Sequence, residues 1–169
     1  MINVPSRNMV IPYMSPVGEL FIAFSNQGLI MLDWKNNPRS HHNLSCIESY
    51  LIVPSPDRVE EVISYLDNYF FGNEIPFNIP IDIIGSTFDV FVWKHLLNIP
   101  RGTVVSYSQF AGFLSIPSAT RAVASAIARN RISIAVPCHR VIAAGNKIGG
   151  YAGGIPAKRF LLQLEGYQF

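Results

Sequence analysis

Cysteine is scarce in this chain: Cys46 and Cys138 are the two thiols in 169 residues. Two thiols cannot build a disulfide framework, so a disulfide-stapled secreted scaffold is excluded and a reducing, intracellular setting is expected. Charge is sparse too, 14% against 49% hydrophobic residues, which excludes a disordered chain and predicts a globular one. Long apolar runs are missing: none approaches the ~18 to 20 residues that a membrane span needs. Residues 1–10 carry no compact apolar segment with a cleavage site, so no secretory signal is expected. The glycine-rich stretch at 149–154 lacks the spacing and the Lys-Ser/Thr of a phosphate-binding loop. His41, His42 and Cys46 offer two ligand types without a fourth partner at zinc spacing, so no metal is expected there.

What charge there is divides unevenly. Residues 1–85 hold four Lys/Arg against nine Asp/Glu, a net −5, whereas residues 86–169 hold nine against two, a net +7. A basic half of this kind suits a polyanionic partner. Charge, composition and hydrophobic period all change at Gly85-Ser86, which predicts two domains, 1–85 and 86–169.

In the first half, β-rich runs at 17–24 and 29–34 flank Ser25-Asn26-Gln27-Gly28, good hairpin chemistry. Residues 36–43 read as loop. Ser55-Pro56-Asp57 supplies N-cap, N1 proline and first-turn acid for a helix whose Val59, Val62, Ile63, Leu66 and Phe70 share a face and which stops at Gly72. Residues 77–84 are a further strand candidate, placed at an edge or bulge by Pro80. The expectation is a small α/β domain.

The second half is mainly helical. Thr87 is positioned to cap a helix with Phe88, Phe91, Val92 and Leu96 on one face. Ser106 caps a short helix to about Leu114, residues 115–118 turn, and a second helix runs from 119 to about 130, a helix-turn-helix pattern. On that second helix Val123 and Ile127 face inward, while Arg121, Ser125, Ala128 and Arg129 gather opposite, with Ala122 and Ala124 at the margins. Small residues flanked by arginines let a helix backbone approach something negative. A last helix opens at Pro156 and closes at Glu165-Gly166. A carboxylate at a helix C-terminus is disfavoured by the dipole by roughly 0.3–1 kcal/mol, which suggests another partner for Glu165.

The chemistry concentrates in Ile134-Ala135-Val136-Pro137-Cys138-His139-Arg140-Val141-Ile142, an apolar run interrupted by a thiol, an imidazole and a guanidinium. Apolar surroundings alone raise a thiol pKa; a neighbouring base or cation reverses that. A buried structural cysteine is the bland alternative.

Pro137-Cys138-His139-Arg140-Val141, with Tyr151-Ala152-Gly153-Gly154, Leu164-Glu165-Gly166, Tyr107 and Arg121-Ala122-Val123, resembles the O6-alkylguanine-DNA alkyltransferases, closely from about Phe88 onward and loosely before residue 85. The resemblance implies a ribonuclease H-like N-terminal α/β domain, a small sheet with a helix, and a mainly helical C-terminal domain with a helix-turn-helix. It implies one irreversible transfer of an alkyl group from O6-alkylguanine, and from O4-alkylthymine, in DNA to Cys138, with no cofactor. His139 would take the thiol proton through a bridging water, Glu165 would hold the imidazole, and Tyr107 would assist the leaving purine at N3. DNA contacts fall to Arg121, Ala122, Ser125, Ala126 and Arg129 of a helix in the minor groove, with Arg121 filling the stack vacated by a flipped nucleotide. Pocket walls fall to Val141, Tyr151, Ala152 and Gly153, and structural links to Asn130 and Arg140. The partner is then double-stranded DNA, met by a monomer without a membrane.

Two departures stand out. Arg131 follows Asn130 where the family usually has proline, which puts the rigidity of that connection in question. Ala152 replaces a serine found in some members. No cysteine-rich regulatory domain is expected in front. A cysteine hydrolase and a damage-sensing DNA-binding protein without chemistry are the competing classes; adjacent positions make Cys138 and His139 a poor hydrolase dyad, and the intact Cys138 disfavours the sensor.

Overall fold

The computed structural model describes residues 9–168. Residues 1–8, most of the stretch read above for a secretory signal, lie outside the described residues. Strands β1 (Val10–Ser15), β2 (Gly18–Phe24) and β3 (Leu29–Trp34) form an antiparallel meander in that order. The β2–β3 turn falls at Ser25 to Gly28, where the Ser25 N–H donates to the Gly28 carbonyl at 2.9 Å. β3 is buried at every position. Leu29, Leu32 and Trp34 join the main core; Ile30 and Met31 pack with Ala23, Ile47 and Leu51 on the other side.

A short helix α1 (Ser40–Ser45) leads to α2 (Pro56–Phe71), whose Val62, Leu66 and Tyr69 are buried at helical spacing. Each fully buried Val or Leu contributes about 1.5–3 kcal/mol, so this stripe holds the helix on the sheet. Gly72 ends it in the left-handed conformation at φ 96°, which a side chain would resist. Ser55 occupies the N-cap, but its side chain makes no capping bond.

Three sequence expectations need correction here. Residues 77–84 do not form a regular strand. Pro80 has no N–H to sustain a ladder, and the segment makes one parallel bridge, Leu29 with Ile81, against the open edge of β3. The cap of α3 (Thr87–Leu96) is Ser86, whose hydroxyl accepts from the Asp89 N–H at 3.1 Å; Thr87 is already helical. On α3, Val92, Trp93 and Leu96 are buried and Phe91 is exposed, so the inner face turns toward Trp93.

β4 (Val105–Ser106) pairs in parallel with β5 (Val141–Ile142). α4 (Tyr107–Phe113) starts from a capping box: the Ser106 hydroxyl accepts from the Gln109 N–H at 3.2 Å, and the Ser106 N–H donates to Gln109 Oε1 at 2.8 Å. A left-handed Ser115 and one 3-10 turn, Pro117–Ala119, lead into α5 (Thr120–Ala128), completing the helix-turn-helix. α6 (Ile155–Leu164) closes the described chain with Leu161 and Leu162 buried.

The two halves meet along β3. Its Leu32 N–H donates to the Arg131 carbonyl at 2.9 Å, and its Leu32 carbonyl accepts from the Ser133 N–H at 2.7 Å. Arg131, the departure from proline, brings its own restraint. Its Nη1 donates to the Ile84 carbonyl at 2.7 Å, and its guanidinium lies 5.8 Å from the Trp93 ring centre. Trp93 in turn donates from Nε1 to the Ala126 carbonyl at 2.7 Å. This cross-tie of side chains holds the connection after Asn130.

Candidate active site

The stretch docked on β3 carries Cys138. Ile134 is held at φ 69°, a conformation that costs a β-branched residue roughly 1–3 kcal/mol. Beyond it Pro137 precedes a single 3-10 turn, Cys138–Arg140, which runs into β5. Asn130, just past the end of α5, organises the whole turn. Its Nδ2 donates to the Val136 carbonyl at 3.0 Å and to Cys138 Sγ at 3.1 Å, while its Oδ1 accepts from the Ile132 N–H at 3.0 Å. One buried amide thus joins the recognition-helix end, the loop backbone and the sulfur. Burial pushes the Cys138 thiol up; the Asn130 hydrogen bond and the Lys158 charge pull it back, and Asp33 adds to the rise.

His139 is fully buried. Its Nε2 lies 2.8 Å from Glu165 Oε1. That same oxygen accepts from Tyr69 Oη at 2.7 Å and Arg140 Nη2 at 2.9 Å, and Oε2 accepts from Arg140 Nε at 2.8 Å. Arg140 spends its remaining Nη1 on the Ile99 carbonyl at 2.6 Å. Burial alone would raise the Glu165 carboxyl, but the bonds and charges of His139 and Arg140 outweigh it and hold it well below the usual carboxylate range. Burial lowers His139, with Glu165 opposing, so the imidazole is neutral near pH 7. An ionised carboxylate only accepts, so the proton sits on Nε2 and Nδ1 keeps its lone pair. Nδ1 is buried and finds no hydrogen-bond partner among the described residues, an unspent proton acceptor one residue from the thiol.

A second buried cation was not legible in the sequence. Lys158 of α6 is 0% exposed and donates from Nζ to the carbonyls of Val141 at 2.6 Å and Gly150 at 3.1 Å. Burial lowers it to about 8, with Cys138 opposing.

Cys138 lies on a cavity of about 250 Å³ that is also lined by Tyr107, Asn130, Gly150, Tyr151 and Ala152, and by Ile127 and Ala128 of α5. Tyr107 and Cys138 therefore share a pocket, and burial, then the Cys138 charge, raises the phenol. Val141 and Gly153 are not on its wall. Val141 is fully buried and serves through its carbonyl on Lys158, and Gly153 packs against the Trp34 indole. Asn37, Pro38 and Arg39, from the loop that showed no chemistry in the sequence, complete the lining.

On α5, Arg121, Ala122, Ser125 and Ala128 are exposed, and Val123 and Ile127 are buried. Ala126 is fully buried and its carbonyl is taken by Trp93, which removes it from any contact face. Arg129 is bound to Asp89 of α3, with Nη2 at 2.6 Å from Oδ1 and Nε at 3.1 Å from Oδ2, so its charge is neutralised within the protein. Near α1, His42 Nε2 and Cys46 Sγ are 3.6 Å apart; among the described residues no group of three or more His, Cys, Asp or Glu could hold a metal. Among those residues no helix is long and apolar enough to cross a membrane.

A cysteine beside a carboxylate-held imidazole, in a cavity whose mouth is the end of a helix-turn-helix, defines a thiol-nucleophile protein of the nucleic-acid-binding class. Two family models cover nearly the whole chain: the ribonuclease-like domain of 6-O-methylguanine DNA methyltransferase over residues 11–83, and its DNA-binding domain over residues 87–167. The methylated-DNA–protein-cysteine methyltransferase of Mycobacterium tuberculosis is 39% identical over 154 residues, 89% of this chain and 88% of that one. The inducible enzyme of Bacillus subtilis is 34% identical over 148 residues, covering 86% and 83%. The crystal structure of Mycobacterium tuberculosis OGT in complex with DNA superposes with a TM-score of 0.77 at 38% identity, covering 91% and 90%. The chain belongs to the 6-O-methylguanine DNA methyltransferase family.

Proposed function

We propose that this protein repairs DNA by moving the alkyl group of an O6-alkylguanine onto Cys138, once per molecule. One observation carries the reading: Cys138 lies on the cavity with its Sγ tethered by Asn130 to the end of α5, and the next residue, His139, has its tautomer fixed by ionised Glu165 so that Nδ1 is left as the proton acceptor. His139 Nδ1 takes the thiol proton, directly or through water. The sulfur lone pair forms the S–C bond as the C–O6 bond breaks, its electron pair passing into the guanine. The purine then takes a proton, for which Tyr107 is the pocket hydroxyl at hand. Lys158 favours the thiolate before transfer. No group in the site can cleave the thioether, so the protein is consumed.

A domain boundary at Gly85-Ser86 belongs to the same proposal, supported by family matches that cover residues 11–83 and 87–167. The basic C-terminal domain meets duplex DNA with Arg121, Ala122 and Ser125 of α5. These side chains are exposed and mostly small, which suits a minor groove only ~6 Å wide. A flipped nucleotide then enters the cavity beside Ile127 and Ala128, at an unstacking cost of a few kcal/mol. Two unpaired thiols suit work in a reducing cell interior. Intact and peptide mass spectrometry after excess O6-methylguanine duplex tests the reaction. One added methyl, on Cys138, is expected; methyl on Cys46, or release of methanol with turnover, refutes it.

A further inference from the structure

We infer that Asp33 and Trp34, at the end of β3, set the width of the Cys138 pocket, so that selectivity for alkyl size resides in the N-terminal domain, which holds none of the reacting groups. The inference rests on the alkyl-transfer reading. Two walls of the cavity are held by this one dipeptide. The Trp34 indole backs the first. A Cβ on Gly153 would lie 2.6–2.8 Å from its ring atoms, so the Tyr151–Gly153 segment is packed flat against it. Trp34 Nε1 also donates to Tyr151 Oη at 3.1 Å, and the two rings meet edge-on at 6.0 Å. Tyr151 and Ala152 cannot retreat from the cavity without displacing a tryptophan that is 0% exposed.

Asp33 holds the second wall. Its carboxylate, buried at the strand end, accepts from Asn37 Nδ2 at 2.9 and 3.0 Å, from Asn43 Nδ2 at 2.7 Å and from the Trp34 N–H at 2.9 Å. Asn37 is fixed from its other side by the Arg39 N–H on its Oδ1 at 3.0 Å and by its own N–H on the Trp34 carbonyl at 3.0 Å. Asn37, Pro38 and Arg39 are the residues that this network presents to the cavity. The side-chain partners of this buried carboxylate, Asn37 and Asn43, both lie on the segment just after β3, and its burial carries a desolvation cost that a merely connecting segment would not need. Pro38 and Arg39 are exposed, so the network holds a rim, not a core. Neither Asp33 nor Trp34 touches the reacting atoms; both are positioning residues.

The test uses the full chain and the free bases O6-methylguanine and O6-benzylguanine, with Cys138 alkylation followed by intact mass. Asn37→Ala and Asp33→Asn each place a gap or a repelling amide in the network. Pro38→Gly slackens the rim without touching the core. The benzyl-to-methyl rate ratio is expected to rise by about tenfold, the scale at which a pocket discriminates small apolar increments. Should Asp33→Asn fail to fold, Asn37→Ala and Pro38→Gly decide. A ratio that falls or stays within about twofold of the parent in both, on the same pocket scale, overturns the inference. A parent protein that accepts neither group on Cys138 overturns instead the alkyl-transfer reading beneath it.

Discussion

Replacing Glu165 with glutamine separates charge from shape at the centre of the site. The carboxylate takes Tyr69, His139 and Arg140 on Oε1 and Arg140 again on Oε2. A glutamine that keeps its oxygen at the Oε1 position must turn its NH2 toward Arg140 Nε, donor against donor. Both partners are largely buried, at 0% and 13% side-chain exposure, so solvent does not soften the loss. Stranding one member of a buried ion pair costs 3–5 kcal/mol, and Arg140 keeps the Ile99 carbonyl, so about 3 kcal/mol is expected. For a chain of this size that lowers Tm by roughly 6–12 °C. The pH dependence follows from the depressed carboxyl. Its contribution is fully present above the unfolded carboxylate value of about 4.3 and is lost as pH falls toward the lower folded value, so the variant's stability should change less than the parent's below about pH 4. Reactivity should fall as well, because His139 Nε2 loses its charged anchor. A loss of about a hundredfold or more in alkyl transfer is expected from a disabled proton acceptor. The assays are thermal unfolding from pH 3 to 8 and single-turnover transfer from free O6-methylguanine. An unchanged Tm with parental acid sensitivity would show that the carboxylate is not held as described.

Lys158→Met removes the charge that favours the thiolate while keeping most of the length of the side chain; iodoacetamide labelling of Cys138 should slow by about tenfold near pH 7, one pKa unit of lost support. In the parent, that support should fade above pH 8 as the amine, held at about 8, loses its proton; a labelling profile identical in both proteins would refute it. Arg121→Ala should slow repair of duplex DNA while sparing reaction with the free base, and should lower the salt slope of DNA binding by about one unit. Arg129→Ala should leave that slope unchanged, because Asp89 already neutralises Arg129, and should cost about 1 kcal/mol or less of stability for a partly exposed pair. An equal drop in slope in the two variants would place both arginines on the DNA.

Local signals carried much of this structure. The capping box at Ser106, the proline start of α2, its glycine stop and the β2–β3 turn are written in neighbouring residues, and each sits near its expected place. What escaped the sequence is non-local. Lys158 lies on an amphipathic helix where a lysine ordinarily faces water, and only the arriving Val141 and Gly150 carbonyls make its burial tolerable. Tyr69 sits in a helical stripe like any core aromatic, and its hydroxyl meets Glu165 across 96 positions. Arg129 fell on the small, basic face by angle and Ala126 was assigned to DNA by resemblance, yet the short α5 is gripped by Trp93 and Asp89 of α3. Residues 77–84 had strand composition, but Pro80 limits them to a single bridge.

The order in which Glu165 leaves the ribosome has a consequence for a protein that reacts once. Cys138, His139 and Arg140 are made first, and the carboxylate that fixes the imidazole tautomer follows 27 positions after the thiol. At ordinary synthesis rates that interval lasts ~1 to 5 s. Until α6 is complete the nascent thiol has no oriented base and no docked Lys158. Thiol, oriented base and neighbouring charge therefore come together only when α6 docks, so assisted transfer is a property of the finished molecule.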